Sequence, residues 1–297
     1  MTSTRTALIN WGLLMALVII WGSAFMFTSI AVDSVDPVSL VFYRVLLGMF
    51  ILFAVLAFRR LKLPRDLRTW VGFLVMAVAG YAAPFFLISW GQQTVDSGVA
   101  GMIMAIMPLI TMVLAHYLVP GETLNRYKIL GFLLGISGVG LLLGPVFEGG
   151  SRAFWSGIAI FGGASCYAVN SILIKRLPRF DPMIGACGVL IMSSALLLPF
   201  WLLMAPDNSG ASINSIISVI WLGIGPTGIA TIILFMVIDR AGPTFLATIN
   251  YLIPVVAFFC GAWLLAEPVN WLHYLALITI LCGIALTRLR QRSTKSA

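Results

Sequence analysis

Few residues in this chain could make or break covalent bonds. Ten are Asp or Glu, two are His, and no carboxylate sits near the middle of an apolar run. His116 and His273 lie towards the ends of the runs that hold them. There is no His-Glu-x-x-His and no pair of aspartates at depth, so an intramembrane enzyme lacks its parts. Cys166, Cys187, Cys260 and Cys282 fall inside apolar runs without metal-ligand spacing, and read as small packing residues rather than disulfides. No metal or cofactor is expected. What remains is the chemistry of recognition. Trp21 and Phe25, Tyr81 and Phe85, and Tyr167 and Asn170 share faces at helical spacing. So do Met104 and Pro108, and Thr227 and Thr231, while Asn250 and Tyr251 stand just before Pro254. Rings, a methionine, hydroxyls and amides suit an apolar body with a small polar head. Taken singly, an aromatic more often faces lipid or the core. An amide such as Asn250 seldom faces lipid, because it needs a partner.

Arg44 is the one charge within an otherwise apolar stretch, residues 37–58. It lies about 10 Å along a helix from the start of that stretch, at roughly 1.5 Å per residue. A charge at such depth calls for a partner or a wet cavity. Snorkelling to the near surface is the plainer alternative. Asp33 and Glu267 are candidate partners. Glu122 and Glu267 close apolar runs and read as structural or gating residues.

The elements that position these residues follow from where charge is missing. Charged residues make up 9% of the chain and hydrophobic ones 61%. A soluble domain carries about 25% charged residues, and a disordered chain has low hydrophobicity, so both classes are excluded. The net charge of +8 is too scattered for a nucleic-acid-binding face. Residues 6–32, 69–95, 97–121, 129–147, 153–174, 182–206, 208–238, 241–266 and 268–287 contain no charge. With 37–58 they give ten candidate helices, each near the ~20 residues a bilayer requires. The first run is too long for the core of a signal peptide. With the N-terminus inside, the short loops carry Lys and Arg in a ratio of 16 inside to 1 outside, which puts both termini in the cytoplasm.

The chain also repeats itself. Asp36-Pro37 and Asp181-Pro182 are 145 residues apart, as are Gly80 and Gly225, Glu122 and Glu267, and Gly138 and Gly283; Pro108 and Pro254 are 146 apart. Five helices per unit is an odd number, so residues 1–147 and 148–297 would enter the membrane from opposite sides. Inverted repeats are the architecture of many secondary transporters, whose sites sit at matched Gly or Pro interruptions. Gly80 and Pro84 interrupt helix 3, and Gly225 and Pro226 interrupt helix 8; Pro108 and Pro254 do so in helices 4 and 9. These prolines either bend helices for packing or free carbonyls into a cavity.

Two junctions resemble a known family. Pro120-Gly121-Glu122-Thr123-Leu124-Asn125, followed by Ser137-Gly138-Val139-Gly140, is similar to the helix 4–5 junction of EamA repeats. Leu265-Ala266-Glu267-Pro268, followed by Cys282-Gly283, is the second copy. Trp21-Gly22-Ser23 and Arg44 resemble that family's first repeat, although Val189 stands where a second Arg44 would map. The family belongs to the drug/metabolite transporter superfamily. The resemblance spans essentially the whole chain and is nearest to YddG-type amino-acid exporters. It implies an all-α, ten-helix inner-membrane carrier of small metabolites, aromatic or other hydrophobic amino acids first.

Uptake, another metabolite class, and a channel- or scramblase-like facilitator remain as alternatives. The absence of a mid-membrane carboxylate argues against obligatory proton coupling. Gly131-x3-Gly135, Gly140-x3-Gly144 and Gly101-x3-Ala105 allow close helix approach, within a monomer or at a weak homodimer seam. The expected partners are a small molecule and the lipid bilayer, with no nucleic acid.

Overall fold

A computed structural model describes residues 2–148, 150–174 and 181–288. Lys175, Arg176, Arg179, Arg290, Arg292 and Lys295, which enter the orientation count, lie outside the described residues. No strand occurs among the described residues. The first seven helices are α1 (Thr2–Val32), α2 (Pro37–Phe58), α3 (Leu67–Gly91), α4 (Ser97–Leu118), α5 (Arg126–Glu148), α6 (Ser151–Leu173) and α7 (Pro182–Met204). The helical path from Ile213 to Leu246 is not one rod. Gly242 breaks it at φ 81° and ψ 166°, dividing α8 (213–241) from α9 (243–264). The Gly242-Pro243 pair explains the break, since glycine tolerates positive φ and proline restarts a helix. Helix α10 is Trp271–Arg288.

Eight stretches are long and apolar enough to cross a membrane, while Ile249–Leu264 and Trp271–Thr287 are shorter apolar helices. The apolar residues also face outward. Phe58 is 90% exposed, Leu203 84% and Trp263 77%. A water-soluble fold would not present such a surface, whereas hydrocarbon demands it, and helices satisfy their own backbone there. The protein is an integral membrane protein.

Helix ends show why the chain turns where it does. Asp36 and Asp181 each accept a hydrogen bond at 2.8 Å from the backbone two residues on, Val38 and Met183, and each is followed by proline at the first helical position. Positive φ angles fall at Arg60 and Ala205, and at Gly121 and Ala266. At one end of the bundle Ser34 meets Ser215, and Asn208 accepts from the Asp36 N–H. At the other end Arg240 donates to Asn10.

Packing pairs the two halves of the chain. α5 lies along α10, α2 along α7 and α4 along α9, while α1 packs on α8 and α9, α6 on α3 and α4, α2 on α8, and α7 on α3. The α5–α10 contact is a backbone approach. A Cβ added to Gly131 would stand 2.5 Å from the Gly283 carbonyl, and one on Gly283 would stand 2.6 Å from the Gly131 carbonyl. This stripe therefore serves packing within the molecule, as does Gly101 against Ala257 of α9; Gly140 and Gly144 face open space.

Candidate functional site

A buried polar cluster forms around Arg44. Its side chain is only 8% exposed. The Nε–H donates to the Thr227 hydroxyl at 3.1 Å, and the guanidinium carbon lies 3.7 Å above the centroid of the Phe85 ring. Small residues make this possible. Gly48, one turn beyond Arg44, sits so close to α8 that a Cβ there would meet the Thr227 methyl carbon at 2.6 Å. Thr227 itself lies in a π-helical stretch, Gly223–Ile229, and its hydroxyl donates to the Leu222 carbonyl at 2.8 Å. Thr231 donates back to the Thr227 carbonyl at 2.7 Å.

A second π-helical stretch, Val78–Ala82, ends just before Pro84 in α3. Such bulges widen the helix by one residue per turn and recur at functional sites. This one turns Tyr81 and Phe85 towards Arg44. Tyr81 and Phe85 meet edge to face at 5.5 Å, and Phe85 meets Tyr167 of α6 at 6.5 Å. The two tyrosines thus flank the ring on which the guanidinium rests. Gly80 lets α6 approach, because a Cβ there would stand 2.7 Å from Asn170 Nδ2. Asn170 Oδ1 is buried with no partner among the described residues. Trp21 of α1 closes the cluster by donating to the Pro226 carbonyl at 2.9 Å, inside the α8 bulge.

Five helices thus bring together Trp21, Arg44, Tyr81, Phe85, Tyr167, Asn170, Thr227 and Thr231, with Gly80, Pro84, Gly225 and Pro226 shaping the bulges. The other expected lining residues lie elsewhere. Phe25, Met104 and Tyr251 pack against a separate apolar cluster formed mainly by α4, α5 and α10. Phe25 covers Gly101, and the Tyr251 hydroxyl donates to the Ile284 carbonyl at 3.3 Å. Asn250 is half-buried, and its side chain meets no hydrogen-bond partner among the described residues. In α4 the helix breaks at 105–106, directly before Pro108; in α9 the break is at 247–248, whereas Pro254 lies inside a continuous turn of helix.

Glu267 and Glu122 are committed elsewhere. Glu267 accepts from the Ser97 and Gly98 N–H groups at 2.7 and 2.9 Å, so it caps α4 rather than pairing with Arg44. Glu122 stands 3.8 Å from Lys128. Asp33 borders a cleft of roughly 440 Å³ with Phe27, Ile30, Ser212, Asn214, Ile217, Ser218 and Leu265. Phe27 links this cleft inward, since its ring lies 6.0 Å from that of Trp221, which packs on Gly225. Phe27 and Gly48 were absent from the sequence-based site. Gly48 was legible as the small residue one turn from Arg44, while Phe27 carried no signal.

The comparisons with known proteins agree with this membrane fold. A model of the EamA-like transporter family matches residues 10–144 and again 154–289. The uncharacterized inner membrane transporter YedA of Escherichia coli (strain K12) is 28% identical, over 96% of this chain and 92% of its own. The uncharacterized transporter YoaV of Bacillus subtilis (strain 168) is 22% identical, over 91% and 94%. A probable amino-acid metabolite efflux pump of Escherichia coli (strain K12) is 24% identical, over 92% of both chains. One solved crystal structure shares the fold with a TM-score of 0.70, at 21% identity over 98% of this chain and 99% of that one. With two matches to the family model that together cover nearly the whole chain, the protein belongs to the EamA-like transporter family.

Proposed function

We propose that this transporter exports small amphipathic metabolites, with aromatic and other hydrophobic amino acids as first candidates, by alternating access around the Arg44 cluster. One observation carries the reading: a buried cation, three rings, two hydroxyls and an unpartnered amide converge where two π bulges interrupt apolar helices. Rings hold an apolar body and the polar groups orient its head. The relative named as a probable amino-acid metabolite efflux pump supports amino acids as the class.

The architecture proposed is ten spans in two inverted units, residues 1–147 and 148–297, in the inner membrane with both termini cytoplasmic. The π stretches begin at Val78 and Gly223, 145 residues apart, and the positive-φ pairs Arg60/Ala205 and Gly121/Ala266 keep that spacing. Exchanging each helix for the one five places along maps every helix pairing described above onto another pairing or itself. The double family match supports the same division. Rocking one unit against the other would expose the cluster to each side in turn.

Transport down the substrate's own gradient, without obligatory proton coupling, fits the commitment of Glu267 to backbone N–H groups. Uphill flux that requires a pH gradient in proteoliposomes would overturn it. The central experiment is a competition panel in proteoliposomes: amino acids, nucleobases and polyamines against one labelled amino acid. Saturable flux competed by hydrophobic amino acids is expected; unsaturable flux would indicate a channel. Tyr81→Ala and Asn170→Ala are each expected to lower flux at unchanged membrane yield. Unchanged flux in both would remove the site assignment.

A further inference from the structure

Arg44 is buried without a counter-charge. A guanidinium has five N–H donors. Only Nε–H has an acceptor here, Thr227, and the four terminal donors meet none among the described residues. One face is covered by Phe85. Both Glu267 oxygens hold backbone N–H groups, Asp36 caps α2, and no ion pair to Arg44 forms among the described residues. A buried charge left unpaired costs several kcal/mol, so this cation is kept for something.

We infer that Arg44 is the receptor for a substrate carboxylate, so that the site takes a monoanionic carboxylate with an aromatic or aliphatic body. The inference deepens the proposed function and rests on it. The guanidinium fork matches a carboxylate in two parallel hydrogen bonds, which the unused terminal donors can supply. Thr227 and Phe85 hold the fork in place from one edge and one face, and leave the terminal nitrogens without an acceptor among the described residues. Tyr81, Tyr167 and Phe85 stand around it as the walls for an apolar side chain. Charge sets the class further. Arg44 is the one Lys or Arg within the apolar runs of the sequence, so one negative charge is neutralised and a phosphate dianion would be left half-paired.

The test compares a carboxylic acid with relatives that lack the carboxylate. Phenylalanine, its primary amide, phenethylamine and phenyl phosphate compete with labelled phenylalanine for uptake into proteoliposomes holding the wild type, Arg44→Lys or Arg44→Gln. The wild type is expected to prefer the acid over the amide by at least tenfold, with phenyl phosphate a poor competitor. Arg44→Lys keeps part of that preference, and Arg44→Gln brings acid and amide within about twofold. Equal competition by acid and amide in the wild type overturns the inference, as does undiminished discrimination in Arg44→Gln. Strong competition by phenyl phosphate overturns the monoanion class. If no compound competes and flux is absent in the wild type, the amino-acid reading fails first and this inference with it. Should Arg44→Gln not fold, Thr227→Val replaces it: releasing Nε–H shifts the acid-to-amide ratio if Arg44 binds the carboxylate, and an unchanged ratio overturns the inference.

Discussion

Glu267→Ala removes the contact that ties the loop before α10 to the start of α4. Its two oxygens accept from Ser97 and Gly98 N–H at 2.7 and 2.9 Å. Asp96, the capping residue of α4, supplies no side-chain hydrogen bond of its own. Hydrogen bonds to a charged group contribute about 1.5–3 kcal/mol each. Glu267 is only half-buried, so water recovers part of that, but Ser97 is fully buried and its N–H has no ready substitute. The expected loss is about 2–4 kcal/mol for Ala and roughly half for Gln, which keeps one acceptor but loses the charge facing the helix dipole. Thermal unfolding of purified protein in detergent, followed by tryptophan fluorescence, would order the three as wild type, Gln, Ala. A second substitution sharpens the test. A Cβ on Gly261 would press on the Glu267 carboxylate, so Gly261→Ala should cost less in the Glu267→Ala background than in the wild type. If Glu267→Ala unfolds within about 0.5 kcal/mol of the wild type, a range typical of surface positions, the capping argument is wrong.

Other outcomes follow from the same geometry. Gly80→Ala should cost about 1–3 kcal/mol by driving a methyl into Asn170, and adding Asn170→Ala should restore most of it in the same unfolding assay. Trp21→Phe loses the bond to the Pro226 carbonyl and should cost about 1 kcal/mol while lowering flux, since that bond ties α1 to the α8 bulge. Burial, and then the nearby Glu267 charge, hold the Asp96 carboxyl above the ordinary carboxylate range. A raised folded value means its contribution is present in acid and lost as pH rises through that value. Asp96→Asn should therefore stabilise the protein at pH 7 relative to wild type, with the advantage shrinking under acid conditions; an advantage that grows in acid would reverse the assignment.

Much of the fold was legible because a bilayer forces it to be local. Hydrocarbon requires each span to satisfy its own backbone, so spans appear as uninterrupted apolar runs, and residues 37–58 became α2 at the same limits. The bulges were legible too, because glycine and proline act on their own turn: Gly80 and Gly225-Pro226 both fall within π stretches. The break at Gly242-Pro243 falls just inside the start of the 241–266 run.

What the sequence alone determined was the number and character of the apolar runs, the spacing of their interruptions and the rarity of depth charges. Tertiary structure decided which faces meet. Spacing along one helix cannot say which of several neighbours a face will touch, so Trp21, Tyr81 and Thr227 converge on Arg44, whereas Phe25, Met104 and Tyr251, of the same residue types, pack elsewhere. The same limit hid the true partners of Arg44. Charge favoured Asp33 or Glu267, but Thr227 and Phe85 hold it, because Gly48 brings α8 close and the α3 bulge turns a ring beneath the guanidinium.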